Sequence, residues 1–85
     1  MFYKVQKVDP LPGLHLRVQF ENGTVKKYDV NPLLNKWPVF RSLELIPGLF
    51  GCVRVDAGGY GIVWNDDIDL SCNELWEHGA EVNPS

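Results

Sequence analysis

From Leu14 to Phe20 apolar and polar residues alternate for seven positions: Leu14, Leu16, Val18 and Phe20 against His15, Arg17 and Gln19. Successive side chains on a strand point to opposite faces, so this run predicts a strand with one wet face. Glu21-Asn22-Gly23 then signals a hairpin. A two-residue Asn22-Gly23 turn pairs Phe20 with Val25 and puts Lys27 and Asp29 on the core face. A three-residue loop with a left-handed Gly23 pairs Phe20 with Thr24, and sets Tyr28 opposite Leu16 and Val30 opposite Leu14. The second register buries the better residues and is the one expected. It leaves Lys26 on the core face, its stem on apolar surface and its ammonium in water. Tyr3 to Val8 reads as a further strand, ended by Asp9-Pro10-Leu11-Pro12-Gly13.

The middle of the chain reads as short helices. Asn31 is a good N-cap and Pro32 suits the first helical turn. Trp37 precedes Pro38, which bars helical geometry there. Val39 to Leu43 predicts a second short turn with Val39, Phe40 and Leu43 on one face, and Pro47-Gly48 ends it. Cys52 to Val55 and Tyr60 to Trp64 read as a second hairpin around Gly58-Gly59. Asp66, Asp67 and Asp69 read as a solvated strand-to-helix loop. Ser71-Cys72-Asn73-Glu74 is a capping box, flanked by Leu70 and Leu75 at the staple positions. Gly79 closes that helix, whose apolar stripe is Cys72, Leu75 and Trp76. The expected fold is α+β: three N-terminal antiparallel strands, short middle helices, a second hairpin and a C-terminal helix.

The 85 residues imply one domain, 1–85, able to fold alone with little stability to spare. No apolar run is long enough for a membrane span, and the first residues lack the pattern of a signal peptide. Two cysteines, Cys52 and Cys72, make no disulfide framework and read as small hydrophobes. Charge is uneven. Residues 1–41 carry seven basic residues against three acidic, a net +4, while residues 42–85 carry Arg54 against eight acidic residues, a net −7. Nucleic-acid binders draw most of their affinity from a basic excess, and the chain as a whole, at −3, has none. A local basic face of His15, Arg17, Gln19 and Lys27, joined by Lys4 or Lys7, is the one route to such a partner.

Four pieces in order carry a family resemblance. Leu16 to Gly23 resembles V-x-F-x-[DN]-G; Tyr28 to Leu34 resembles x-D-[LV]-x-P-L-L. Leu49 to Asp56 resembles x-F-x-x-V-x-V-D, and Ile62 to Trp76 resembles x-x-W-x-[ND]-x-x-D-[LI]-x-x-[DN]-x-L-[YW]. Together they resemble a small bacterial family catalogued as a domain of unknown function, number twenty-four forty-two, from about Val5 to Gly79. The resemblance implies an α+β fold and a cytoplasmic bacterial setting. Some relatives carry an extra helix-turn-helix domain, and some are encoded beside another small protein in a toxin–antitoxin-like way. This chain, ending at Ser85, leaves no room for the extra domain. The Trp37-Pro38 pair is bulkier than the resemblance implies at that point. No catalytic residues come with the family.

The candidate chemistry is thin. Asp66, Asp67 and Asp69 resemble a Ca²⁺ loop only in density: counted from Asp66, the sixth position is Ser71 and not glycine. Their charges suit a helix N-terminus instead. His15, His78, Cys52 and Cys72 lie at no zinc spacing. Ser42, Ser71, Cys52 and Cys72 sit in no nucleophile elbow, and Gly58-Gly59-Tyr60-Gly61 lacks the lysine of a phosphate loop. No catalytic, cofactor or metal residues are therefore expected. The expected function is a non-catalytic interaction module whose partner is another small protein or a second copy, with nucleic acid the alternative. Trp37, in a loop, and Trp76, on a short helix, join His15, Arg17 and Lys27 as candidate surface residues.

Overall fold

A computed structural model of the protein describes residues 2–82. The N-terminal meander is β1 (Val5–Leu11), β2 (His15–Phe20) and β3 (Val25–Asp29). Helix α1 (Asn31–Lys36), a 3₁₀ turn (Pro38–Arg41) and α2 (Ser42–Leu45) follow. After a 3₁₀ turn at Phe50–Cys52 come β4 (Arg54–Val55), β5 (Gly61–Asn65), β6 (Ile68–Ser71), α3 (Cys72–His78) and β7 (Ala80–Glu81). The strands form two antiparallel sheets, ordered β1-β2-β3-β7 and β4-β5-β6. The fold is α+β. Its core joins Leu16, Val18, Phe20 and Tyr28 of the first sheet to Ile62, Trp64, Ile68 and Leu70 of the second. Leu75 of α3 and Leu33 and Leu34 of α1 complete it.

The hairpin takes the three-residue loop. Leu16 faces Tyr28 and Val18 faces Lys26. The Phe20 N–H donates to the Thr24 carbonyl at 2.8 Å, and Gly23 adopts a φ of +92° that side chains resist. Lys26 points inward as expected, but its ammonium does not end in water. It donates to the Trp76 carbonyl at the end of α3 and lies 4.1 Å from the centre of that indole ring. A cation is favoured at both places.

Several elements differ from expectation. β1 continues through Asp9-Pro10, with Pro10 opposite Leu16. It is an edge strand, where a missing N–H breaks no ladder. Residues 68–71 are a strand and not a loop. Asn65 Oδ1 accepts from the N–H groups of Asp67 and Ile68 at 2.9 and 3.0 Å, and that tight turn folds β6 back on β5. A fourth strand, β7, joins the first sheet beside β3. Gly79 closes α3 as expected, its N–H donating to the Leu75 carbonyl at 3.0 Å, with a negative φ of −77°. A Cβ there would sit 2.6 Å from the Leu75 carbonyl oxygen and 3.1 Å from Lys26 Cβ, so glycine lets β7 approach.

Local caps differ as well. Asn31 is the first residue of α1 and not its cap. The Asp29 carboxylate accepts from the Asn31 N–H at 3.0 Å, and the Asn31 side-chain amide donates to Asp29 and to the Gly13 carbonyl. Val39 is exposed while Phe40 and Leu43 are buried. The 3₁₀ turn ends at Arg41 and Leu43 lies in α2; Phe40 and Leu43, three apart across that junction, share the core face, and Val39 is one position off. Cys52 lies in a 3₁₀ turn, exposed, with β4 starting only at Arg54, whereas Cys72 is buried as a small hydrophobe. Ser71 caps α3 by accepting from the Glu74 N–H at 3.1 Å. Glu74 does not reach back; its carboxylate serves Tyr28 instead.

Candidate functional site

The pleat of the first sheet brings His15, Arg17 and Lys27 to one outer face, as the alternation requires. Arg17 lies directly opposite Lys27 on β3 and Asp9 on β1. Carboxylates interleave with these bases. Arg17 Nη1 and Lys7 Nζ each lie 3.8 Å from Asp9 Oδ2, and His15 Nε2 lies 3.6 Å from Asp29 Oδ1. The Asn31 side-chain amide, bonded to Asp29, holds that carboxyl below the usual aspartate range, and His15 and Lys27 add to the effect. The face thus sets Lys7, Arg17 and Lys27 against Asp9 and Asp29. Lys4 sits apart from this arrangement, with its ammonium 4.9 Å from the Tyr60 ring centre.

The two candidate tryptophans have different surroundings. Trp76 stacks on Tyr3 with ring centres 3.8 Å apart and meets Phe20 edge-on at 4.9 Å. With Lys26 over its ring, it is half-buried and engaged within the chain. Trp37 is held extended by the proline after it, with φ −129° and ψ 112°. Phe40 and Leu43 anchor the following turns to the core. The residues between and around these anchors face outward: Trp37 is 40% exposed, Val39 42%, Leu45 72% and Ile46 52%. Trp37, Pro38, Val39 and Phe40 also line an open cleft of about 450 Å³, and Asp69 of β6 joins its lining.

A third group was not singled out from the sequence. The Tyr28 hydroxyl donates to Glu74 Oε2 at 2.8 Å, and His78 Nε2 lies 3.8 Å from Glu74 Oε1. A cleft bordered by Pro32 and Lys36 opens onto these residues. Burial first, then the bond to Glu74, pushes the Tyr28 hydroxyl well above the ordinary tyrosine range, so it stays a neutral donor. The trio holds α3 to β3, and no candidate nucleophile lines its cleft. Elsewhere, Ser71 serves as a helix cap and Cys72 is buried. Among the described residues, no group of three or more His, Cys, Asp or Glu side chains is placed to hold a metal. No described helix is long and apolar enough to cross a membrane.

The family model described as a protein of unknown function (DUF2442) matches residues 5–81. The chain belongs to that family. No curated protein and no solved structure matches it. The DUF2442 sequence pieces now have physical roles. Asn22 Oδ1 accepts from the Thr24 N–H, shaping the first hairpin. Asp29 and Pro32 start α1. Trp64 Nε1 donates to the Phe50 carbonyl at 3.1 Å, and Asn65 turns the chain into β6. These pieces build turns, caps and core. The exposed apolar stretch from Trp37 to Ile46 lies between the second and third of them.

Proposed function

We propose that this DUF2442 protein is a non-catalytic interaction module that engages another protein through residues 37–46. One observation carries the reading: four large apolar side chains, Trp37, Val39, Leu45 and Ile46, are exposed within ten residues of an 85-residue chain. A small domain gains stability by burying such groups, so leaving them out points to a surface that a partner covers. Trp76 is engaged with Tyr3 and Lys26 within the chain and is not counted in this surface. A small companion protein in the bacterial cytoplasm, paired in the toxin–antitoxin-like manner that the family resemblance implies, fits the reading. The pairing of Arg17 and Lys7 with Asp9 weighs against nucleic acid as the partner.

The test is affinity purification from the native host, with the parent and a Leu45→Ser/Ile46→Ser variant. Both positions are exposed, so the fold should survive the change. Recovery of one protein with the parent and not with the variant supports the reading. Recovery of DNA or RNA that salt removes, unchanged in the variant, overturns it.

A further inference from the structure

We propose that the free edge of β6, together with the cleft beside it, takes up an extended basic segment of the partner, pairing backbone to backbone at Asp69. The inference rests on the interaction-module reading and narrows it to one edge and one kind of peptide.

β6 is the last strand of its sheet. In antiparallel pairs, hydrogen-bonded and non-bonded residue pairs alternate. The Cys72 N–H donates to the Tyr60 carbonyl at 2.8 Å, and the Asp56 N–H donates to the Gly61 carbonyl at 3.0 Å. These bonds set the phase. Ile62 and Leu70 exchange bonds across β5 and β6, while Gly61 and Val63 turn their backbone groups toward β4. The partner of Val63 on β6 is Asp69. Its N–H and carbonyl therefore point away from β5, to the open side of the sheet. Among the described residues, no backbone hydrogen bond reaches Asp69 from that side. An unpaired edge of this kind is a template for another strand.

The cleft lies at the same residue. Asp69 forms one wall, and Trp37, Pro38, Val39 and Phe40 form the other. Free backbone groups beside an apolar pocket are the two parts by which extended peptides are bound: the edge supplies affinity and the pocket selects side chains. Charge selects further. Asp69 makes no ion pair among the described residues, nor do Asp66 and Asp67 at the turn leading into the strand. A segment with a lysine or arginine opposite Asp69, and an apolar residue within two positions to meet Trp37 and Val39, complements both walls. A second copy pairing edge to edge about Asp69 would set aspartate against aspartate, which is unfavourable. The occupant is thus a different, basic chain.

The probe is a random dodecapeptide library, selected on the intact chain and followed by titration of the selected peptides into ¹⁵N-labelled protein. The expected peptides carry a basic residue next to an apolar one, shift the Asp69 amide and slow its hydrogen exchange about tenfold or more. Trp37→Ala weakens binding about thirtyfold, as loss of an interface anchor does. Asp69→Lys weakens it by about fivefold or more. Both positions are exposed, and ¹⁵N spectra of the variants verify the fold. N-methylating the peptide residue opposite Asp69 abolishes binding. Binding that ignores N-methylation, a peptide footprint elsewhere, selection of no binder, or dimerisation as the sole association each overturn edge pairing. The interaction-module reading fails separately, through the Leu45→Ser/Ile46→Ser purification.

Discussion

The Tyr28 hydroxyl donates to the Glu74 carboxylate at 2.8 Å across 46 residues of sequence, and so ties α3 to β3. Glu74 works from both ends: its backbone N–H is held by Ser71, and its carboxylate meets Tyr28 and His78. Removing the hydroxyl by Tyr28→Phe is expected to cost about 1–2 kcal/mol. The bond also has a pH signature. Because the fold raises the Tyr28 pKa, the folded chain keeps its proton after the unfolded chain has released it. That stabilisation is complete below about pH 10 and declines as pH rises beyond it. The melting temperature of the parent should therefore fall more steeply above about pH 10 than that of Tyr28→Phe. Parallel curves would refute the linkage.

Leu16 has no solvent exposure and sits opposite Tyr28 in the first hairpin. Leu16→Ala should cost about 2–5 kcal/mol in denaturant titrations. Arg17→Ala, one residue along on the wet face, should change stability by less than about 0.5 kcal/mol. Equal effects would mean that the alternation does not set the core.

Ser71 caps α3 through the Glu74 N–H, so Ser71→Ala should cost about 0.5–2 kcal/mol. Replacing Asp66 and Asp67 with Asn should matter little, because exposed charges contribute about 0–1 kcal/mol. Melts with and without chelator should coincide. A melting point raised by Ca²⁺, lost in the double Asn variant, would instead identify a cation site.

Gly59 has a φ of +78°, and a Cβ on it would lie 2.6 Å from the Val5 carbonyl oxygen. Gly59→Ala should cost about 1–3 kcal/mol, from backbone strain and the displaced β1. Gly51 has open space around its Cβ position and no positive φ. Gly51→Ala should be neutral or gain up to about 1 kcal/mol. Thermal melts of the two variants should separate clearly, and identical curves would contradict the close approach.

The outer face of the first sheet holds three bases against two carboxylates. Duplex DNA should bind no more tightly than about 10⁻⁶ M at physiological salt. Fluorescence anisotropy checks this. Sub-micromolar binding lost in Arg17→Ala/Lys27→Ala would restore nucleic acid as the partner.

The sequence makes the first hairpin legible because both its signals agree. The alternation from Leu14 to Phe20 fixes the faces, and only a left-handed Gly23 brings Tyr28 and Val30 inward. The Ser71 cap is legible for a similar reason, since its bond spans three residues. β6 is harder to see. Its alternation lasts four residues, is diluted by aspartates and depends on the side chain of Asn65 to turn back on β5. β7 has two residues, made into a strand by β3. The Glu74 carboxylate is assigned by Tyr28, which no local pattern can reveal. The proline after Trp37 makes the loop there readable, and the 40% exposure of Trp37 is a property of the packing around it. Asp69 becomes its neighbour only once residues 68–71 are a strand.

The three tryptophans give the molecule three separate optical probes. Trp64 is buried, its indole N–H bonded to the Phe50 carbonyl, so its emission reports whether the core is intact. Trp76, stacked on Tyr3 beneath a lysine ammonium, reports the contact between Tyr3 and α3. Trp37 is the most exposed of the three and lines the cleft. A soluble quencher such as iodide therefore reaches Trp37 first, and a ligand seated in the cleft shields it while the other two stay unchanged. With Trp64→Phe and Trp76→Phe as references, one cuvette can follow the core, the Tyr3–Trp76 contact and occupancy of the cleft without any label.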